Sequence, residues 1–477
     1  MKPMKRIALR LSLSALVGLA GCATMAPDYT RPSTPVPAAW PSGPAYQAKS
    51  AEQPQKAVSA LPWQEFYRDG KLQQLIALGL ENNRDLRVAA LNSERFQALY
   101  RIQRSELLPQ IDADASGTFQ NLAQDASGDS GRHVHRYSVG LGLSAYELDL
   151  FGRVRSLKDQ ALEQYLATEQ AQRSVRISLI SQIASGYLTL AADREFLQLA
   201  RETLKTQQSS YRLTQRRFEV GASSELDLRQ AQTQVDSARV DVARFTTLVA
   251  QDENSLSLVL GSTVPAALKP QTLSESLTAV QDITPGLPSE VLLLRPDVLQ
   301  AEDLLKGFNA NIGAARAAFF PRITLVGSVG VGSSELSGLF KSGSDAWTFA
   351  PQIVLPLFDG GARSAQLKVA EADRDIAVAQ YEKTIQTAFR EVADALAQQG
   401  TIDEQMAAQQ SLVKANASRY LLAQARYEKG IDSFLNVLDA QRSLYSAQQG
   451  LIATRLTRLV NQVTLYKVLG GGWKQPS

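Results

Sequence analysis

The chain has 477 residues, with 50 Lys and Arg against 47 Asp and Glu, two His, one Cys and only 7% aromatic residues. A balanced charge leaves no electrostatic footprint for a nucleic acid, and a lone cysteine closes no internal disulfide. Two histidines, and no Gly-rich phosphate loop, argue against an enzyme.

The chain begins "MKPMKRIALRLSLSALVGLAGC": a basic region (Lys2, Lys5, Arg6, Arg10), a short apolar run and small residues before Cys22. The run is too short to span a bilayer and reads as a secretory signal over residues 1–21. The stretch resembles a bacterial lipobox, which makes Cys22 the lipidation site. Ala23 after it is compatible with sorting to the outer membrane. Several acyl chains anchor firmly where one is marginal. Losing residues 1–21 removes four basic residues and no acid, leaving 46 minus 47, a formal charge of −1. No other apolar run has transmembrane-helix length, so a bilayer crossing must use strands.

Residues 22–62 are Pro-rich and predict an extended tether. The remainder is a tandem repeat. "RFEVGASSELDLRQAQT" (Arg217 to Thr233) matches "RYEKGIDSFLNVLDAQR" (Arg426 to Arg442) at an offset of 209 (426 minus 217). Asp85 to Ile111 matches Asp297 to Ile323 at an offset of 212 (297 minus 85). The first repeat occupies residues 63–264, a connector with four prolines and at most short helices 265–288, the second repeat 289–472, and a tail 473–477.

Each repeat reads helix, strand, strand, very long helix, returning helix. In the first, the hairpin covers 109–150 and the long helical pair 152–261; in the second they cover 322–357 and 361–469. Leu190, Leu197, Leu204, Tyr211 and Phe218 recur every seven residues, as do Met406, Val413, Tyr420 and Tyr427, which marks coiled-coil seams. The returning helices carry three-four spacing at Leu228, Ala231, Val235, Ala238, Val242, Phe245 and Val249, and at Val437, Ala440, Leu444, Ala447 and Leu451. A helix of about 65 residues reaches roughly 100 Å. The helix at about 83–105 and the returning helix at about 224–261 match one long helix in total length, so they are expected to stack end to end.

Four segments of about ten residues break the helical period: "LPQIDADASGTF", "YSVGLGLSAYELDL", "RITLVGSVGVG" and "FAPQIVLPLF". That is the length of a tilted membrane strand, and Tyr137, Tyr146, Trp347 and Phe358 stand near their ends as interfacial aromatics do. Four strands cannot close a membrane barrel, so chains must share one. Two, three or four chains would close it. The joining loops run from Asn121 to Arg136 and from Ser333 to Asp345. His133 and His135 fall in the first, too few ligands for a metal site.

The lipobox, the Pro-rich tether, the duplicated helix–hairpin–helix unit, "YELDLFGRVRS", "AQYEKTIQTAFREVADALA" and the ending "LYKVLGGGW" together resemble the TolC-type outer-membrane efflux ducts, closest to the lipidated OprM branch. The resemblance covers essentially the whole mature chain. It implies a mixed α and β membrane protein: a homotrimer with a 12-stranded transmembrane β-barrel continuing as a helical coiled-coil barrel through the periplasm. It also implies a periplasmic adaptor, an inner-membrane transporter of the resistance-nodulation-division class, no cofactor beyond the lipid on Cys22, and no catalysis.

Within that frame the repeated stretch is where the long helix turns back. Val220, Gly221, Ala222, Ser223, Lys429, Gly430, Ile431 and Asp432 are the candidate adaptor contacts at the two tips. Leu435, Asp439 and Arg442, spaced by four and three, form one stripe facing away from Val437. Their counterparts Leu226, Gln230 and Thr233 carry no charge. By the resemblance, Leu435 and Asp439 narrow a closed periplasmic mouth and Arg442 helps tie the helices; the plainer alternative is an Asp439–Arg442 pair along one helix. A duct serving type I protein secretion or heavy-metal efflux is the neighbouring alternative in function. A lipid-anchored coiled-coil spacer without a pore explains the heptads but not the alternating segments.

Overall fold

A computed structural model describes residues 24–46, 58, 61–121, 133–273 and 289–472; the signal segment, Cys22 and most of the connector lie outside the described residues. The chain forms helices α1 (Gly70–Asn82) and α2 (Arg84–Ser105), strands β1 (Ile111–Asn121) and β2 (His133–Glu147), and helices α3 (Arg153–Glu219) and α4 (Glu225–Leu260). After the connector come α5 (Pro296–Ala317), β3 (Arg322–Ser333), β4 (Asp345–Val354), α6 (Ala362–Glu428) and α7 (Phe434–Val468). It divides into two compact units.

The first unit (Met1–Ser33, Asn92–Glu169, Gln300–Tyr381) holds the sheet. Its four strands are antiparallel in the order β1-β2-β3-β4. Because side chains alternate across a strand, Ile111, Ala113, Ala115 and Phe119 share a face with Val139, Leu141, Leu143, Val329, Val331, Trp347, Phe349 and Ile353. The opposite face carries Asp112, Asp114, Ser116, Ser138, Ser328, Thr348 and Gln352, with Ser116–Ser138 (2.9 Å) and Ser328–Thr348 (2.7 Å) hydrogen bonds crossing it. A bulge at Ala145 (φ 49°) interrupts the β2–β3 ladder. His133 and His135, expected in a loop, belong to β2. Their extended backbone continues the ladder opposite Asn121 and Phe119, and the Phe119 ring meets His135 edge-on at 5.3 Å. β4 starts near Asp345, earlier than the pattern suggested, and Leu355–Phe358 fall outside it, since Pro356 cannot donate to a ladder.

In the same unit the tether is fastened to α5. Glu302, almost fully buried, accepts from Arg31 (2.9 and 2.8 Å) and from the Tyr29 hydroxyl (3.2 Å), and Asn309 donates to the Pro27 carbonyl (2.7 Å). A buried carboxylate needs such partners, because desolvation otherwise outweighs its attractions.

The second unit (Thr34–Leu91, Gln170–Leu299, Glu382–Ser477) is helical. α1, absent from the predicted order, is capped by Asp69 and buries Leu72, Leu75, Ile76 and Gly79. One stretch of α3 is apolar enough in length and composition to cross a membrane, contrary to expectation, but most of it is buried in the fold. The heptad seam is buried at Leu190 and Leu197 and opens toward Phe218, which is 40% exposed.

The end-to-end helix junction is built twice from unlike residues. Asn83 caps α2 through Leu86 N (2.8 Å) and donates to the Val259 carbonyl at the end of α4 (2.8 Å). In the second repeat Arg295 donates to the Val468 carbonyl at the end of α7 (2.8 Å). Gly261 closes α4 with φ 70°, and a Cβ there would lie 2.9 Å from the Asn82 carbonyl carbon.

Candidate channel wall and helical tip

The sheet provides a wall for two solvents. One face is apolar except at one end, where Asn121, His133, His135, Ser333 and Asp345 lie, and can meet lipid chains, whereas the other is polar and can line water. Its outer strands are exposed along their whole lengths. Gly140 and Gly330 sit opposite each other on the polar face, where the backbones come close; a Cβ on Gly140 would lie 2.8 Å from the Val329 carbonyl oxygen.

Both helical tips, in the second unit, turn by the same bonds. Ala222 N donates to Arg217 O (2.7 Å) with Gly221 at φ 76°, and Ile431 N to Arg426 O (2.9 Å) with Gly430 at φ 73°. Such left-handed positions favour glycine. Val220, Gly221, Ala222, Lys429, Gly430 and Ile431 are exposed, whereas Ser223 and Asp432 are half-buried. After the turns the repeats diverge. Ser224 and Asp227 form a capping box on α4, and hydrogen bonds from Ser224 hold the Asp227 carboxyl below its usual range. On α7 Ser433 makes no side-chain cap. Asp432 instead pairs with Arg426 (2.5 Å), which lowers its pKa.

Beyond the tips the two repeats touch. Ala231 packs with Phe434, Val437 and Leu438, covered by Tyr211, Tyr420, Ala423 and Tyr427. Arg217 on α3 donates to the Tyr427 hydroxyl on α6 (2.6 Å) and lies over its ring. Tyr445 on α7 donates to Asp241 on α4 (3.0 Å), a carboxylate also paired with Arg244. Burial and Asp241 raise the Tyr445 pKa.

Leu435 is 56% exposed, and Val437 faces the core. Asp439 bonds Arg442 on its own helix (2.9 Å) and Arg419 on α6 (2.5 Å), and these two guanidiniums hold its carboxyl below the usual range. The local pair along one helix is therefore present, and the tie between helices is made by Arg419. Sequence reading missed Arg419, Arg217–Tyr427 and Tyr445–Asp241. Arg419 was findable: Arg419 and Asp439 are placed symmetrically about Lys429 (ten residues before and after), as are Arg426 and Asp432 (three before and after).

A sheet with one lipid-compatible and one wettable face, on a chain with two long helical hairpins, defines an outer-membrane channel of the TolC type, with an α-helical barrel and a β-barrel. Residues 75–262 and 287–471 each match the outer membrane efflux protein family, and the chain belongs to that family. It is 51% identical to the toluene efflux pump outer membrane protein TtgC of Pseudomonas putida and 51% identical to the antibiotic efflux pump outer membrane protein ArpC of the same species, in both cases over 98% of this chain and 96% of the relative. The open-state structure of the MtrE outer membrane channel of Neisseria gonorrhoeae superposes with a TM-score of 0.84 at 38% identity, covering 95% of this chain and 99% of that one. The chain is thus an outer-membrane efflux channel, a class defined by passage rather than catalysis.

Proposed function

We propose that three chains close a 12-stranded barrel and serve as the exit duct of a tripartite pump for small toxic compounds. A periplasmic adaptor and an inner-membrane transporter of the resistance-nodulation-division class would feed it, with the adaptor seated on Val220–Ser223 and Lys429–Asp432. The cargo is apolar solvents and antibiotics, the compounds for which the two relatives are named. Conduction is passive, and a lipid on Cys22 adds a second hold on the membrane.

The mouth is closed by Leu435, Asp439 and Arg442, with Arg419 bracing Asp439. Opening moves the α6–α7 pair away from α3–α4, and a partner drives it only through its higher affinity for the open form. The observation that carries the duct reading is the sheet's division into an apolar and a polar face, with both edges unpaired among the described residues. The test is tolerance: the chain, produced with a matched adaptor and transporter in a bacterial host lacking its own exit duct, restores resistance to toluene and antibiotics. Correctly inserted protein that restores neither overturns the reading.

A further inference from the structure

Unpaired strand edges are not tolerated in lipid, so β1 and β4 must meet another chain, a conclusion that rests on the channel reading above. We propose that β4 pairs antiparallel with β1 of a second copy of this chain in one register: Trp347 opposite Asn121, Phe349 opposite Phe119, Pro351 opposite Gly117, and Ile353 opposite Ala115.

The register comes from the internal repeat. The sequence match makes Ile111 and Ile323 equivalent, an offset of 212 (323 minus 111). Ile111 pairs with Leu143 and Ile323 with Ile353, so β2 and β4 are equivalent at an offset of 210 (353 minus 143). The β2–β3 ladder is the chain's own seam between repeats, and it pairs Tyr137 with Ser333, Val139 with Val331, Leu141 with Val329 and Leu143 with Gly327. In a closed ring of repeats, the seam between chains joins the same two kinds of strand. Moving each β2 residue forward by 210 and each β3 residue back by 212 yields the four pairs above.

The faces agree independently. A slip of one residue would turn one strand's whole apolar face toward the polar side. The proposed pairs keep Phe119, Ala115, Phe349 and Ile353 on the face already occupied by Val139, Leu141 and Val329. A slip of two would also keep the faces, placing Phe119 opposite Trp347 or Pro351, and only the repeat selects between these and Phe349. The selected register makes a direct aromatic pair, a stabilising contact across strands. The seam is equivalent in pairing rather than in spacing: Gly140 and Gly330, whose backbones crowd together, have Ala350 and Thr118 as counterparts.

Disulfide trapping tests this. Directly opposed residues have Cβ atoms about 4.5–5.5 Å apart and diagonal neighbours about 7–8 Å, against about 3.8 Å in a disulfide. Full-length chains carrying Phe119→Cys with Phe349→Cys, with Trp347→Cys or with Pro351→Cys are oxidised in outer membranes and run denatured without reductant. The Phe119/Phe349 pair is expected to give the dominant covalent multimers, which disappear on reduction and are missing from each single-cysteine variant. Dominant cross-linking in either other pair overturns the register, as does no cross-linking in any pair while an SDS-resistant oligomer forms. Failure of the channel reading looks different, because wild-type chain in the outer membrane then forms no oligomer at all.

Discussion

Tyr445→Phe removes one hydroxyl and leaves the ring packed, so it isolates the bond between α7 and α4. That bond is 3.0 Å long and ends on Asp241, whose side chain is 24% exposed. Hydrogen bonds to charged groups contribute about 1.5–3 kcal/mol. Arg244 remains to compensate Asp241, so the contribution falls below that range, to about 1 kcal/mol for a partly exposed pair. If the bond exists only while the repeats are together, its loss raises the open-to-closed ratio about fivefold, since about 1.4 kcal/mol is tenfold. Open probability of reconstituted channels in a planar bilayer measures this. Asp241→Asn combined with Tyr445→Phe should open little more than Tyr445→Phe alone, because both break one interaction. An unchanged open probability in Tyr445→Phe, or full additivity in the double variant, would refute the argument.

Asp193 and Asp252 hydrogen-bond each other between α3 and α4. Burial, with that bond and the charge of Asp193, pushes Asp252 up to about 7. A carboxyl with a raised folded pKa holds its proton more tightly folded than unfolded, so its contribution is present in acid and is lost as pH rises through about 7. The heat-dissociation temperature of the oligomer should therefore fall between about pH 5.5 and 8, and Asp252→Asn should flatten that decline. Arg295→Met strands the Asp297 and Glu391 carboxylates and the Val468 carbonyl, and should cost about 3 kcal/mol, read as a lower midpoint in denaturant melts. Gly261→Ala, at φ 70° and against Asn82, should destabilise by at least about 1 kcal/mol in the same melts, whereas Gly221→Ala, with open space around its Cβ position, should cost only its backbone strain.

Periodicity made much of the architecture legible. Strict sevens predicted the seam at Leu190 and Leu197, the three-four spacing on the returning helix matches the buried Ala231, Ala238 and Phe245, and alternation located the strands. What is local to one repeat was harder to see. Among the described residues α1 has no matching α-helix in the second repeat, where the described part of the corresponding stretch is a short 3-10 helix at Ser289–Leu294, so a reading anchored on duplication passed over it. At the tip, the stripe of Leu435, Asp439 and Arg442 stands out in the sequence because Asp439 and Arg442 are charged where Gln230 and Thr233 are not. The partner of Asp439 on α6, Arg419, was missed although its spacing about Lys429 marks it, whereas the Arg217–Tyr427 and Tyr445–Asp241 bonds between the repeats come from helix–helix packing that no linear spacing encodes.

Single-channel conductance of the purified wild type beside Asp439→Ala and Arg419→Ala in a planar bilayer tests the central claim most directly. The account predicts small wild-type openings that enlarge in both variants, as the brace between α6 and α7 is removed. Folded oligomers that conduct in no variant would contradict it.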